Sequence, residues 1–179
     1  LILISKSTDI TIQKGSYDLG QITPFVGSRP FDSLKLWFLI KNLGVEGINQ
    51  LVEYRYNIAK SWHKEILSSQ FFIALNNVEL NSVVFSVAPD KLKFAYPKIE
   101  TDREFIGKLN KLVHDCVYKD GYLCIHSFDI VDAQKVIGVD SGKLRVLGVT
   151  FGNPHTTESD FVYLTSYLDN VVLKLIETT

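Results

Sequence analysis

The sequence predicts an α+β domain built on a small, mainly antiparallel sheet with helices on one face. The first observation is the order of elements after residue 70, which is strand, strand, helix, strand, strand, helix. The second is that turn-forming residues, such as Asn76 with Asn77 and the segment 138–142, separate successive strands. The third is composition: 46% of the 179 residues are hydrophobic and 22% are charged, as in a globular protein with an ordinary core.

The first 44 residues predict a strand, a loop and a helix. Residues 1–5 form a short apolar run typical of a buried strand, and residues 7–26 are polar and contain glycines, which predicts a long loop. Residues 28–44 predict a helix with Pro30 and Asp32 in its first turn and Gly44 after its last. Its apolar side chains surround most of the circumference, so we expect other elements or a partner chain to cover it. These side chains are Leu34, Leu36, Trp37, Phe38, Leu39, Ile40 and Leu43.

The remaining elements follow from periodicity and from capping signals. An amphipathic helix over 45–67 is followed by strands over 71–75 and 82–87 and by an irregular connection over 91–100. A capping box of Thr101 and Glu104 predicts the start of a helix that ends near residue 120. Strands over 122–130 and 143–151 come next, and Thr156 or Thr157 is expected to cap a last helix.

Charge and cysteine content exclude several classes of partner. The net charge is −1, which gives no reason to expect nucleic acid or an anionic membrane as a partner. No apolar run approaches the roughly 20 residues of a membrane span. Cys116 and Cys124 provide neither a disulfide framework nor metal-ligand spacing, so we expect no metal site and take the cytoplasm as the default compartment. Methionine is absent even at position 1, so we expect the sequence to be a piece of a longer protein.

Two stretches carry a resemblance to a known family. The first is Arg29, then Phe-Asp-Ser-Leu-Lys-Leu-Trp at 31–37 and Leu-Gly-Val-Glu-Gly at 43–47. The second is Leu144-Arg145, an apolar run, Asn-Pro-His-Thr-Thr at 153–157 and Asp160. In order and spacing they resemble the group II pyridoxal-phosphate-dependent decarboxylases, which act on glutamate, diaminobutyrate and aromatic amino acids.

The resemblance implies a position within a larger enzyme. The chain would be the C-terminal part of an aspartate-aminotransferase-like, fold type I protein. Residues 1–27 would be a strand and mobile loop left from the large domain, residues 28–67 connecting helices, and residues 68–179 the small C-terminal α+β domain.

Arg145 is the charge that the sequence makes most informative. It lies in an otherwise apolar strand, where a guanidinium needs an anionic partner or a polar cleft. Without further context, an edge-strand arginine in water or a structural ion pair would explain it. The resemblance instead implies that Arg145 binds the α-carboxylate of the substrate. We therefore expect its guanidinium to project from the sheet into a cleft or open surface that faces the missing domain, and not to be consumed in a full internal salt bridge.

The resemblance also implies roles for Tyr17 and Ser28. Tyr17 would protonate the carbanion carbon after CO₂ leaves, although an exposed loop tyrosine is the simpler interpretation. Ser28 would reach the cofactor phosphate of the neighbouring subunit, a role compatible with capping the helix that follows. The pair His63-Lys64 resembles the motif of the cofactor-binding lysine, but we reject it because it lies inside a helical pattern and after the first family motif.

The sequence thus predicts the C-terminal fragment of a pyridoxal-phosphate-dependent amino-acid decarboxylase. The intact enzyme would be a homodimer that uses pyridoxal 5'-phosphate on an amino-acid substrate. The fragment alone is expected to be inactive and to hold no cofactor, because the domain with the cofactor-binding lysine is missing. The alternative is a non-catalytic α+β module of the same shape, used for assembly or binding.

Overall fold

The computed structural model describes residues 31–99, 101–121, 123–131, 137, 142–153 and 155–177. The chain divides into two compact units, Leu1–Val45 and Glu46–Thr179. The strand predicted over 1–5 and the loop predicted over 7–26 lie outside the described residues. The predicted division at residues 27 and 67 remains a prediction.

Helix α1 spans Asp32–Ser68 and is interrupted at Gly44, whose φ of 66° and ψ of 178° are not helical. The predicted break between two helices at this glycine is therefore confirmed. A positive φ of this size strains any residue that has a Cβ, so glycine suits the position. In the first unit, Asp32 accepts a hydrogen bond from Lys35 Nζ at 2.8 Å.

The apolar side chains of segment 32–43 are exposed in the structure. Leu36 is 56% exposed, Trp37 51% and Phe38 57%. We expected cover by other elements or by a partner chain, and the first alternative is not seen among the described residues. Cover by a partner chain stays a prediction, because contiguous apolar surface of this kind usually marks an interaction site.

Four strands of the second unit form one sheet. They are β1 Phe72–Ala74, β2 Ser82–Val87, β3 His126–Val131 and β4 Lys143–Thr150. Their order is β1-β2-β4-β3, and every neighbouring pair is antiparallel, which confirms the predicted sheet. Gly148 of β4 lies beneath Phe128 of β3, where an added Cβ would come within 2.9 Å of the ring.

The helices of the second unit begin at identifiable signals. Helix α2, Pro89–Ala95, occupies part of the stretch predicted to be irregular; proline in its first turn and Asp90 favour a helix start. Helix α3, Arg103–Asp120, is capped by Asp102, whose side chain accepts from the backbone N–H of Phe105. The predicted capping box at Thr101 is therefore wrong by one residue. Glu104 instead pairs with Lys108 one turn further on.

Helix α4, Ser159–Glu177, begins beside one of the two predicted caps. The carboxylate of Asp160 accepts hydrogen bonds from the backbone N–H and the hydroxyl of Thr157, at 2.8 and 3.1 Å. No helix among the described residues combines the length and the apolar character that crossing a membrane requires.

The aromatic side chains at the centre of the core lie between one face of the sheet and helix α1. Trp62 of α1 is fully buried, and its ring centroid lies 5.2 Å from that of Phe85 and 5.6 Å from that of Phe151. Phe85 stands opposite Leu147 in the sheet. Because side chains alternate along a strand, Arg145, Leu147 and Val149 share this helix-covered face.

The side chain of Asn110 in α3 connects the two central strands. Its Oδ1 accepts from the backbone N–H of Val87 at 3.0 Å. Its Nδ2 donates to Ser86 Oγ and to the carbonyl oxygen of Arg145, both at 2.8 Å. Asn110 is fully buried, so the amide replaces backbone hydrogen bonds where β2 and β4 separate.

Replacing Asn110 with alanine should destabilise the second unit. The backbone N–H of Val87 and the carbonyl of Arg145 would lose their partner in a buried place, at a cost of about 1–3 kcal/mol for each group. We expect the free energy of unfolding in urea, followed by near-ultraviolet circular dichroism, to fall by at least about 2 kcal/mol. Asn77→Ala, at an exposed position between β1 and β2, is the control and should change it by no more than about 0.5 kcal/mol. Equal effects of both substitutions would contradict this role of Asn110.

Candidate functional site

Arg145 and Asp129 face each other across neighbouring strands. The register of β3 against β4 places them directly opposite. Arg145 Nε donates to Asp129 Oδ1 at 2.6 Å, and Arg145 Nη2 donates to Asp129 Oδ2 at 3.2 Å. The two side chains remain 39% and 45% exposed. The contact is a two-pronged ion pair at the surface.

This ion pair bears on an expectation drawn from the sequence. We expected the guanidinium of Arg145 to project into a cleft or open surface and not to be consumed in a full internal salt bridge. It lies at the surface, and Asp129 binds its Nε and Nη2. The contact is of the kind that the alternative interpretation of Arg145, a structural ion pair, predicts. Substrate binding by Arg145 remains a prediction that depends on whether the rest of the guanidinium can still bind an anion.

Helix α3 fixes the backbone beneath Arg145. A Cβ added at Gly107 would lie 3.7 Å from the Cβ of Arg145, so helix and strand approach closely here. One turn along the same helix, Asn110 holds the carbonyl of Arg145. The arginine therefore projects from a strand whose position against α3 is set by packing and by a buried hydrogen bond.

A groove of about 480 Å³ runs beside the ion pair. Five of the eight described residues that line it are lysines or arginines, and two are carboxylates. The lining residues are Arg103, Glu104, Gly107, Lys108, Lys111, Asp129, Lys143 and Arg145. The excess of cations gives this groove the chemistry to attract a carboxylate or a phosphate.

The pairing shifts both pKa values in the direction that favours the charged forms. Hydrogen bonds from Arg145 hold the pKa of the Asp129 carboxyl below its ordinary value; partial desolvation opposes the shift, and the charges of Arg145 and Lys143 add to it. The hydrogen bond with Asp129 likewise raises the pKa of Arg145. The pair is thus fully ionised at neutral pH.

Among the other residues singled out by the sequence as candidate site residues, those that the structure describes do not line this groove. Tyr17 and Ser28 lie outside the described residues. His63 and Lys64 lie in the helical segment 45–68 of α1, as their rejection as a cofactor motif assumed. In the described ranges, no three His, Cys, Asp or Glu side chains cluster in a way that could hold a metal ion.

Asp129, Asn110 and Gly107 were missed by the sequence reasoning. Asp129 lies 16 positions before Arg145, and only the register between β3 and β4 brings the two together. Asn110 has a signal, since it is a polar residue beside the apolar residues of an amphipathic helix, but that pattern does not identify its partners.

Replacing Arg145 with glutamine should raise the pKa of Asp129 towards its ordinary value. Because the folded-state pKa lies below the unfolded-state value, this carboxylate stabilises the fold fully above its unfolded-state pKa. That stabilisation is lost as the pH falls through the folded-state pKa. A ¹³C NMR titration of the carboxyl group measures the shift. Lys111→Gln, a change of equal charge in the same groove, should leave the pKa much closer to that of the unmodified chain. Identical titration curves with and without Arg145 would show that the ion pair does not form in solution.

Residues 9–88 match a family model described as the pyridoxal-dependent decarboxylase conserved domain. No curated protein sequence matches the chain.

Solved structures share the fold of this chain. Oryza sativa TDC, with PLP and tryptamine bound, is 16% identical with a TM-score of 0.65; the match covers 84% of this chain and 28% of that chain. Mouse CSAD in apo form is 18% identical with a TM-score of 0.65, over 90% of this chain and 33% of that chain.

A Vibrio parahaemolyticus structure extends the comparison. It is the glutamate decarboxylase domain of diaminobutyrate-pyruvate transaminase and L-2,4-diaminobutyrate decarboxylase. It is 21% identical with a TM-score of 0.61, over 83% of this chain and 27% of that chain. The chain thus spans a third or less of the length of each of these structures. The family-model match and the shared fold together confirm the predicted resemblance of this chain to the group II pyridoxal-phosphate-dependent amino-acid decarboxylases.

Proposed function

We propose that this chain is part of a pyridoxal-phosphate-dependent amino-acid decarboxylase, which removes the α-carboxylate of an L-amino acid as CO₂. The observation that carries the proposal is the match of residues 9–88 to the conserved domain of these decarboxylases. The fold shared with three such structures supports it. The working enzyme would be a cytoplasmic homodimer.

The cofactor would be held mainly by parts of the enzyme outside this chain. When bound, pyridoxal phosphate supplies the electron sink for the carbanion that loss of CO₂ leaves. Holding it needs a lysine amine, donors for the phosphate and an acid near the ring nitrogen. The described residues do not bring such a set together, since the groove beside Arg145 gathers cations around an ion pair. The chain alone would accordingly be inactive and bind no cofactor.

Three residues of this chain would contribute to the proposed reaction. Arg145 would orient the substrate by its carboxylate, since a planar guanidinium can bind a carboxylate through two hydrogen bonds. Tyr17 would return a proton to the carbon that lost CO₂, and Ser28 would donate to the cofactor phosphate. The proposals for Tyr17 and Ser28 rest on the sequence resemblance.

A non-catalytic assembly or binding module is the second candidate. The ion pair that occupies one edge of Arg145 favours it, because an arginine used structurally needs no substrate. The exposed apolar side chains of segment 32–43 also favour it, since such surfaces bind other proteins.

A decarboxylation assay on the longer protein that contains this chain separates the two candidates. The protein is purified with pyridoxal phosphate and incubated with L-amino acids labelled in the carboxyl group, including glutamate, 2,4-diaminobutyrate and the aromatic amino acids. Release of labelled CO₂ that requires the cofactor is the expected result. A folded protein that binds the cofactor and releases no CO₂ from any of these amino acids would favour the non-catalytic module.

In that enzyme, Arg145→Lys should impair decarboxylation while the cofactor is retained. Lysine keeps the charge but loses the planar pair of donors, so we expect kcat/KM to fall by about 2–4 kcal/mol in transition-state stabilisation. Lys143→Arg, in the same groove, is the matched control and should leave kcat/KM near that of the unmodified enzyme. If Arg145→Lys is also near normal, Arg145 has a structural role only.

A further inference from the structure

Arg145 is held at its backbone and at its guanidinium. Asn110 donates to its carbonyl oxygen at 2.8 Å. Asp129 holds Nε and Nη2. A long flexible side chain that is ordered in this way has lost much of its conformational entropy before any ligand arrives.

The geometry of the ion pair leaves one edge of the guanidinium unused. Asp129 approaches from the side, through Nε and Nη2. The end of the guanidinium, formed by Nη1 and the second hydrogen of Nη2, takes no part in this pair. A guanidinium carries more N–H donors than one carboxylate can accept in a two-pronged contact. A second carboxylate can therefore bind at the end without displacing Asp129.

The groove that Arg145 lines has the charges to favour an anion. Lys111 and Lys143 line the same groove and are exposed. Glu104, the other carboxylate of the groove, pairs with Lys108 at 2.6 Å. Asp129 and Arg145 neutralise each other. The carboxylates that line the groove therefore do not neutralise all of its lysines.

We propose that Asp129 is a positioning residue that holds Arg145 from the side, so that the end of the guanidinium binds a carboxylate in the groove between α3 and the β3–β4 edge. The inference rests on the proposed function in one respect: in the enzyme, that carboxylate belongs to the amino-acid substrate.

A competing interpretation predicts that removal of Asp129 raises the anion affinity of the groove, where positioning predicts that it lowers it. If Asp129 only adds negative charge or competes for Arg145, its removal raises the affinity of the groove for anions. Glu104 provides the comparison, because Glu104→Gln removes the same charge from the same groove without touching Arg145. Positioning predicts weaker anion binding in Asp129→Asn, whereas Glu104→Gln should leave the affinity unchanged or raise it.

The experiment titrates succinate into the 179-residue chain at constant ionic strength and follows the backbone amide of Gly107 by ¹H–¹⁵N NMR. Gly107 is unchanged in every variant and lines the groove. We expect saturable binding that Asp129→Asn weakens by about tenfold and Arg145→Lys abolishes. Glu104→Gln should leave affinity unchanged or raise it by up to about fivefold. Asp129→Glu, which retains the carboxylate, should recover part of the affinity lost in Asp129→Asn.

Three results would overturn the inference: affinity that rises in Asp129→Asn as it does in Glu104→Gln, affinity equal in Asp129→Asn and the unmodified chain, or no saturable binding at all. Thermal unfolding of each variant is measured alongside, and a variant that melts below the titration temperature is replaced by Asp129→Ser. The titration uses neither cofactor nor turnover. Failure of decarboxylation in the longer protein would therefore refute the proposed function without changing the titration. Failure of succinate binding would refute the inference about Asp129 without changing the decarboxylation result.

Discussion

The buried amide of Asn110 is the contact on which the arrangement of the second unit depends. It satisfies the N–H of Val87 and the carbonyl of Arg145 at the place where β2 and β4 no longer bond to each other. An unsatisfied buried backbone group is costly, so the position of α3 that delivers this side chain is favoured. Packing of apolar residues would tolerate small displacements of the helix, whereas three hydrogen bonds would not. The groove beside Arg145 takes its shape from that constraint, because α3 and β4 form its walls.

Local patterns predicted the elements more successfully than the contacts between them. The apolar runs predicted the bounds of β2 and β4 to within one residue. The glycine after an apolar helix predicted the break at Gly44. Helix α2 was missed because its seven residues are too few to show a helical period. The cap of α3 was displaced by one residue because Thr101 and Asp102 are both good caps, and which one is used depends on the path of the preceding chain.

The candidate site shows why contacts are harder to predict. That Arg145 needs an anionic partner or a polar cleft follows from its apolar strand, but Asp129 becomes that partner only through the register between β3 and β4. The exposure of segment 32–43 has a similar cause. Hydrophobicity predicts that a helix should be covered, but it does not reveal whether the cover belongs to the same chain.

Phe128 of β3 limits which residue types position 148 of β4 can hold. The aromatic ring already fills the space above the glycine, within 2.9 Å of where a Cβ would stand. A larger residue at 148 would push Phe128 off the sheet, and a smaller residue at 128 would leave a gap over bare backbone. Either change is therefore expected to be harmful alone and tolerated together with the other. Substitutions at positions 128 and 148 should therefore covary as this sequence evolves. A smaller residue at 128 would come first, because it makes space for a larger residue at 148.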